Sequence, residues 1–399
     1  MQMLELALQR ADAADLSDFQ RRQGLPVTGK RDPATEQALM PYLVGYTTER
    51  IRAGDTLYLL AQRFGTTVQA IKTANPGLQE RNLPIGRVLT IPLGFDVVPT
   101  NVNFTSQVLQ YAIRGLTARY PFLHEQQIAC TGQGKPVTLL HVGTGARRVF
   151  YNASHHANEW ITTPLLMKFL EEYCKAIASS GQMMGVEAKA LFAKVSLYVV
   201  PMVNPDGVDL VTGFYPPDSE AYQQAQSIAE NYPAVSFPDG WKANLKGVDL
   251  NLNYPAGWEQ AKQIKAELGY TGPAPRDFVG LAPLDQPETV AMAEWTKRID
   301  PALTLSYHTQ GRVIYWKYLD LQPPGAEELG ELFAQASGYT LEDTPYASGF
   351  AGYKDWFIQE YNRPGFTVEV GLGENPLPMS QFDEIYEENL GILLLGMTG

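Results

Sequence analysis

A short segment in the middle of the chain carries two side chains that could bind one metal ion. His156 and Glu159 are three residues apart in H-A-N-E-W (156–160), shortly after an apolar run at 149–151. An imidazole and a carboxylate at this spacing, just past the end of a strand, can both turn toward one cation. Such a pair is typical of zinc sites, which need a third protein ligand and, for catalysis, an open coordination position.

The third ligand has few candidates, because the chain contains five histidines: His124, His141, His155, His156 and His308. His308 is the strongest candidate, since it ends an apolar strand pattern at 303–307 and precedes a polar loop. His155 falls outside the HxxE spacing and is expected to be a structural neighbour. His124 and His141 lie upstream with no motif around them, so we expect ordinary polar or structural roles for both.

An acidic residue near the C-terminus is a candidate general base. Glu369 interrupts the sequence G-F-T-V-E-V-G (365–371), which otherwise predicts a buried strand. Burial of an unpaired carboxylate is costly, so a glutamate in this position favours a functional role.

The elements that must position these residues alternate along the chain. Near-continuous apolar runs at 137–142, 147–154, 195–203, 303–308 and 366–370 predict buried strands, and helical patterns occupy 160–177, 287–298, 326–337, 352–361 and 381–395. This alternation predicts an α/β sandwich with a mostly parallel or mixed central sheet. Ligands bind beyond the carboxyl ends of the strands in such sheets. His156, Asn204, His308 and Glu369 all lie at or near such ends.

Several segments carry a family resemblance, in the family's order. They are 156–160 (H-A-N-E-W, with Asn158 where arginine is usual), 204–207 (N-P-D-G), 247–253 (G-V-D-L-N-L-N), 284–289 (L-D-Q-P-E-T) and 346–349 (Y-A-S-G) followed by Asp355-Trp356. With them, residues 100–399 resemble the zinc carboxypeptidases of the carboxypeptidase A type. The resemblance implies a carboxypeptidase-like α/β/α sandwich.

The resemblance also implies the roles of the candidate residues. His156, Glu159 and His308 would bind one zinc ion per chain. Glu369 would activate the attacking water and carry its proton to the leaving amine. Asp249 would orient His156 through a hydrogen bond, which is a common arrangement at zinc sites.

Substrate contacts are implied in the same way. Asn251 would hold the substrate's terminal polar group, and Tyr346 would either close over the substrate or serve only in packing. Arg312, just past His308, is a further candidate for a carboxylate contact.

One departure from the family's pattern bears on specificity. The family pairs an asparagine with an arginine that clamps a C-terminal α-carboxylate, but the second position is Leu252 here. Leucine cannot make the bidentate, charge-assisted contact of a guanidinium. Lys242 and Lys246 both lie where the family keeps a second arginine, which polarises the scissile carbonyl, and the sequence does not decide between them.

Two further segments precede the region of resemblance. Residues 1–43 predict two short helices around G-L-P-V-T-G (24–29), with Asp32 as an N-cap and Pro33 in the first turn. Their F-Q-x-x-x-G-L pattern resembles the small helical peptidoglycan-binding modules. The alternative is a helical hairpin that packs against its neighbour.

Residues 45–93 predict the order strand, helix, helix, strand, with G-D-T-L at 54–57, Asn75-Pro76 and Ile91-Pro92. This pattern resembles the LysM module, which binds glycans that contain N-acetylglucosamine. The alternative is an uninvolved linker domain. The expected division of the chain is therefore 1–43, 45–93 and 100–399.

Composition narrows the remaining possibilities. The formal net charge of −12 and a pI near 5.0 argue against non-specific nucleic-acid binding. Cys130 and Cys174 do not form a disulfide framework, although one bridge between them stays open. Residues 1–10 lack the pattern of a signal peptide, and no segment has the length and apolarity of a membrane span. We expect a cytoplasmic or spore-associated protein, or a wall-associated one after non-standard release.

A zinc peptidase joined to a LysM module indicates action on bacterial cell-wall peptides. This combination resembles the γ-D-glutamyl-diaminopimelate endopeptidases, so the expected partners are peptidoglycan, muropeptides and N-acetylglucosamine-containing glycan. The expected reaction is hydrolysis of the γ-D-glutamyl–meso-diaminopimelate bond. The alternatives are a broad wall-associated metallocarboxypeptidase and an inactive glycan-binding protein.

Overall fold

The computed structural model describes residues 2–80 and 83–399. The N-terminal part contains α1 (Gln2–Arg10), α2 (Leu16–Arg22), α3 (Pro33–Val44), β1 (Tyr46–Arg50), α4 (Leu57–Arg63), α5 (Val68–Ala74) and β2 (Val88–Pro92). The rest contains α6 (Ser106–Arg119), β3 (Leu123–Cys130), β4 (Pro136–Val142), β5 (Arg147–Ala153), α7 (Thr162–Ser179), β6 (Gln182–Met183), β7 (Val186–Glu187), α8 (Ala188–Lys194), β8 (Val195–Val200), α9 (Pro205–Val211), α10 (Glu220–Ala229), α11 (Trp258–Glu267), α12 (Pro287–Ile299), β9 (Leu303–Thr309), β10 (Val313–Tyr315), α13 (Ala326–Ser337), β11 (Thr340–Glu342), α14 (Tyr353–Tyr361), β12 (Gly365–Val370) and α15 (Phe382–Thr398).

The first helices form a small bundle with its own apolar centre. Helices α2 and α3 lie on either side of the turn at 24–29, as the sequence predicted, and α1 packs on α3. Ala7, Phe19 and Leu39 are buried together where the helices meet. The Asp32 side chain accepts a hydrogen bond from the Thr35 amide and caps α3, as the sequence predicted.

The LysM segment has the predicted strand–helix–helix–strand order. Strands β1 and β2 pair antiparallel, and α4 and α5 pack over a small core. Thr56 and Thr67 cap the two helices with their hydroxyl groups. The Asn75 side chain ties the end of α5 to β2, because its amide donates to the Thr90 carbonyl and its oxygen accepts from the Thr90 amide, at 2.7 and 3.0 Å.

Arg119 fastens the LysM segment to the peptidase region. It lies at the end of α6 and is 6% exposed. Its guanidinium donates to the carbonyls of Gly45, Leu93 and Phe95, which flank the two ends of the segment. Gly115, one turn earlier in α6, allows close approach, since a Cβ there would overlap the carbonyl oxygen of Val44.

Two more polar groups fix the same junction. The Glu171 carboxylate on α7 is fully buried and accepts hydrogen bonds from the amides of Val97 and Val98. Arg10 donates from α1 to the carbonyls of Tyr42 and Val97, at 3.0 and 2.9 Å. The connector after β2 is therefore packed against the peptidase region along its length.

The central sheet confirms the predicted mixed α/β architecture. Within the described residues it has eight strands, in the order β11-β10-β12-β9-β5-β8-β4-β3. The middle strands β12, β9, β5 and β8 run parallel, and antiparallel pairing begins toward both edges. Helices α6, α7 and α15 bury one face of the sheet, while α12 and α14 bury the other.

Two observations bear on location and redox state. Among residues 2–80 and 83–399, no helix is long and apolar enough to cross a membrane. Cys130 is exposed on β3 and Cys174 is buried in α7, and both are free thiols.

Candidate active site

The candidate metal ligands meet at one edge of the central sheet. His156 directly precedes the short 3-10 turn that follows β5, Glu159 is the last residue of that turn, and His308 is the next-to-last residue of β9. Because β5 and β9 are parallel neighbours, their carboxyl ends lie side by side. One ligand atom from each of the three residues lies within 4.8 Å of the others.

The distances between these donor atoms fit a tetrahedral zinc ion. Nδ1 of His156 lies 2.9 Å from Oε1 of Glu159, and Nδ1 of His308 lies 2.8 Å from Oε2 of the same carboxylate. The two Nδ1 atoms are 3.2 Å apart. Zinc–nitrogen bonds of about 2.0–2.1 Å in tetrahedral geometry place donors roughly 3.3 Å apart. A cation held between these atoms would satisfy the lone pairs of both imidazole nitrogens and the charge of the buried carboxylate.

Asp249 supports the first ligand from behind. Its Oδ1 lies 3.1 Å from Nε2 of His156, and its Oδ2 accepts from the amide of Asp277 at 3.1 Å. Burial opposes the charged form of His156, but the carboxylates of Glu159 and Asp249 outweigh it and raise the pKa of His156 to about 9. This contact fixes which His156 nitrogen is free for the metal, as the proposed orienting role requires.

The other three histidines are not among the clustered ligands, although the His155 ring stacks on that of His308 with centroids 6.0 Å apart. His155 is fully buried, and its Nε2 lies 2.9 Å from the hydroxyl of Tyr254. Burial lowers the pKa of His155 well below its usual value, so the ring is neutral. His124 and His141 are partners on β3 and β4, which lie three and two strands away from β5 in the sheet.

Glu369 lies beside the third ligand. It is paired with His308 in the parallel register of β12 and β9, and its side chain lines the same pocket. Burial and the nearby Glu159 carboxylate raise the pKa of Glu369 to about 8. A carboxyl group with a pKa near neutral pH can both accept and return a proton.

The structure separates the two lysine candidates. Lys242 lines the pocket, and its Nζ lies 2.9 Å from Oε1 of Glu159. Burial opposes its charge, but the Glu159 carboxylate outweighs burial and raises the pKa of Lys242. Lys246 is exposed and lines a different cavity beside Asp206 and Glu288. The geometry therefore brings Lys242 into the site and leaves Lys246 outside it.

The remaining predicted contacts are also divided. Asn251 and Leu252 line the pocket, and Oδ1 of Asn251 accepts from the amide of Tyr353 at 3.0 Å. Tyr346 is 65% exposed and packs edge-on against Phe350, while its neighbour Pro345 lines the pocket.

Arg312 is not brought to the pocket. Its guanidinium is held by the carboxylates of Glu384 and Glu388 on α15, at 2.5 and 2.6 Å. The sequence position just after His308 suggested a substrate contact, but the loop turns at Arg312 with a positive φ and directs the side chain toward α15.

Several residues of the pocket were missed by the sequence analysis. The pocket has a volume of about 200 Å³, and its additional charged or aromatic lining residues are Lys265, Arg276, Asp277, Tyr315 and Lys354. Four of them lie outside every motif. Lys354 directly precedes Asp355-Trp356, and this adjacency was the one signal that could have indicated it.

Comparison with known proteins agrees with this fold and with the two predicted family resemblances. The zinc carboxypeptidase family model matches residues 109–391, and the LysM domain model matches residues 50–92. Gamma-D-glutamyl-L-diamino acid endopeptidase 1 of Lysinibacillus sphaericus is 45% identical over 295 residues, which are 74% of this chain and 72% of that protein. The uncharacterized protein YqgT of Bacillus subtilis is 35% identical over 338 residues, covering 84% and 86% of the two chains.

Solved structures show the same fold at low sequence identity. Bovine thrombin-activatable fibrinolysis inhibitor, in complex with tick carboxypeptidase inhibitor, has a TM-score of 0.57 at 18% identity, over 74% of this chain and 96% of that one. Carboxypeptidase A of Helicoverpa armigera has a TM-score of 0.56 at 18% identity, over 86% and 80%. The family match covers most of the chain, and with the two bacterial relatives it shows that the protein belongs to the zinc carboxypeptidase family and carries a LysM domain.

Proposed function

We propose that this protein hydrolyses the bond between γ-D-glutamate and a diamino acid, meso-diaminopimelate, in peptidoglycan stem peptides. The observation that carries the proposal is its 45% identity to a γ-D-glutamyl-L-diamino acid endopeptidase over 295 residues, which are 74% of this chain. The pocket supports it, since a family site without the arginine at Leu252 calls for a substrate other than an ordinary C-terminus.

His156, Glu159 and His308 would hold one zinc ion. When bound, zinc acts as a Lewis acid that polarises the scissile carbonyl and makes water more acidic. Asp249 keeps Nδ1 of His156 turned toward the metal position through its contact with Nε2.

Glu369 would move the proton. Its carboxylate accepts a proton from the attacking water as the new C–O bond forms. It then donates that proton to the amine as the C–N bond breaks, so the residue ends in its starting state. Its position beside His308, at the wall of the same pocket, suits both transfers.

Two polar side chains would stabilise and orient the substrate. Lys242 holds an ammonium group at the pocket wall, where negative charge develops on the carbonyl oxygen. The oxygen of Asn251 is engaged by the backbone of Tyr353, and within the described residues its Nδ2 has no protein acceptor. That amide nitrogen is therefore available to the substrate. Tyr346, at the rim, would approach only when substrate is present.

The test is a digest of the tripeptide L-Ala-γ-D-Glu-meso-diaminopimelate, with products identified by mass spectrometry. We expect cleavage between the last two residues and slow or no cleavage of a hippuryl-type dipeptide. Efficient cleavage of the dipeptide with an intact tripeptide would instead establish a broad carboxypeptidase. Failure to cut either substrate, in zinc-loaded protein, would favour the inactive glycan-binding alternative.

The N-terminal part would bring the enzyme to its substrate. We propose the division 1–43, 45–93 and 100–399, with the LysM domain as the glycan-binding unit and the first helices as a peptidoglycan-binding-like unit. Calorimetry of the full chain with N-acetylglucosamine oligomers tests this. Absence of binding to both the oligomers and intact peptidoglycan would remove the targeting role without affecting the proposed reaction.

A further inference from the structure

One guanidinium in the pocket has no role in the scheme above. Arg276 lines the same pocket as His156 and Leu252, and its side chain is 40% exposed. Lys265 and Lys354, which also line the pocket, are 9% and 4% exposed and are each paired with an aspartate. Arg276 is therefore the most accessible of these cations.

The hydrogen bonds of Arg276 leave the two terminal nitrogens of its guanidinium available to a ligand. Its Nε donates to Oδ2 of Asp277 at 2.6 Å. Within residues 2–80 and 83–399, neither terminal nitrogen of the guanidinium donates to a protein acceptor. A planar guanidinium anchored in this way can present its remaining N–H groups to an anion such as a carboxylate.

A series of direct contacts fixes Arg276 relative to the metal ligands. Asp277 holds the Arg276 side chain and is itself paired with Lys265 at 2.6 Å. The amide of Asp277 donates to Oδ2 of Asp249, whose Oδ1 contacts His156. Asp277 also has a φ of +66°, a conformation that is kept only where surrounding contacts enforce it. The loop that carries Arg276 is thus built onto the support of the first ligand.

We propose that Arg276 binds a free carboxylate of the substrate next to the scissile amide and thereby determines specificity. The inference rests on the proposed function and names the residue that replaces the arginine missing at Leu252. The expected substrate has two carboxylates next to the scissile amide that Arg276 could bind. One is the α-carboxylate that a γ-linked glutamate leaves free, and the other is the α-carboxylate of the diamino acid.

The experiment compares three substrates with variants at Arg276. The substrates are the free tripeptide, the tripeptide amidated at the glutamyl α-carboxyl, and the tripeptide amidated at the α-carboxyl of the diamino acid. We expect Arg276→Ala to lower kcat/KM for the free tripeptide on the order of 10- to 100-fold, mainly through KM. Arg276→Lys should retain only part of the wild-type kcat/KM, since an ammonium group cannot make the two parallel hydrogen bonds of a guanidinium.

The carboxylate that binds Arg276 is identified by a double-substitution cycle. Amidation of that group should lower kcat/KM of the wild type by a similar factor, and Arg276→Ala should then cause little further loss. Amidation of the other carboxylate should act independently of Arg276. Arg298→Ala, an exposed arginine outside the pocket, is the matched control and should leave all three rates unchanged.

A binding measurement separates recognition from turnover. In the Glu369→Gln background, calorimetry should show weaker binding of the free tripeptide when Arg276 is changed to Ala or Gln, with zinc content and thermal unfolding unchanged. Equal losses on all three substrates, or no loss on the free tripeptide, would overturn the assignment. If the wild type cuts none of the three, the proposed function fails and this inference fails with it, whereas cleavage without dependence on Arg276 refutes the inference alone.

Discussion

Replacing Arg119 should loosen the LysM domain from the peptidase region while leaving the active site intact. The guanidinium is buried at the junction and donates to three backbone carbonyls, at 3.0 Å to Gly45, 2.7 Å to Leu93 and 2.8 Å to Phe95. Arg119→Met keeps much of the apolar volume and removes every donor. The variant therefore isolates the hydrogen bonds from the packing.

The size of the effect follows from the acceptors left behind. Gly45 retains a bond, because its carbonyl also accepts from the amide of Leu93 at 2.9 Å. Within the described residues, the carbonyls of Leu93 and Phe95 accept a hydrogen bond from no donor other than Arg119. A buried acceptor without a partner costs about 1–3 kcal/mol. Two of them, partly relieved by entering water, should lower the free energy of unfolding by about 2–4 kcal/mol.

Urea denaturation followed by tryptophan fluorescence and circular dichroism measures this loss. Arg114→Met is the matched control, since Arg114 is exposed on the same helix and makes one 3.2 Å bond to the hydroxyl of Tyr46. The control should change stability by less than about 1 kcal/mol. Hydrolysis of soluble tripeptide by folded Arg119→Met should match the wild type. Equal stability of the two variants would show that the junction does not depend on these bonds.

Three further predictions concern the active site. Glu369→Gln should keep zinc and fold but lower kcat on the order of 10²- to 10⁴-fold, and near-normal turnover would exclude the proton-transfer role. His308→Ala should lose stoichiometric zinc by elemental analysis, while His141→Ala, on a distant strand, should keep it. In metal-free protein, the pKa of the Glu369 carboxyl is about 8 in the folded state, against an ordinary value of 4.5. The protonated carboxyl therefore adds to the free energy of unfolding below pH 4.5. This contribution is lost as the pH rises from 4.5 toward 8, by up to roughly 1.4 kcal/mol per pH unit. The difference in unfolding free energy between wild type and Glu369→Gln, measured at pH 5 and pH 8, should show that trend, and a constant difference would contradict it.

The central part of the fold could be predicted from sequence because its strands are buried on both faces. Segments such as 195–200 (V-S-L-Y-V-V) are near-continuous apolar runs, and the structure places this one beside β5 in the parallel middle of the sheet. Edge strands were missed for the opposite reason. Strand β3 (L-H-E-Q-Q-I-A-C) is mostly exposed and polar, so neither an apolar run nor a clear alternation marks it.

Only part of the pocket could be predicted from the sequence. His156, Glu159, His308 and Glu369 lie at strand ends, where sequence order and sheet geometry together predict convergence. Arg276 comes from an irregular loop between α11 and α12, whose path depends on contacts such as that between Asp277 and Asp249. Sequence periodicity carries no signal of such contacts, so the sequence alone does not predict that Arg276 lines the pocket.

The packed junction at Arg119 and Glu171 has a consequence for how the enzyme works on a polymer. When two binding sites are joined by a flexible linker, the effective concentration for binding at the second site declines gradually with linker length. When they are joined rigidly, both sites can be occupied at once only if the distance between them matches the ligand. With the LysM domain fastened along its connector, the proposed glycan binding and the proposed cleavage should occur together at only one geometry. Stem peptides at one particular distance from the sugars bound by the LysM domain would be cut rapidly. Stem peptides at other distances would be cut only after the LysM domain releases the glycan.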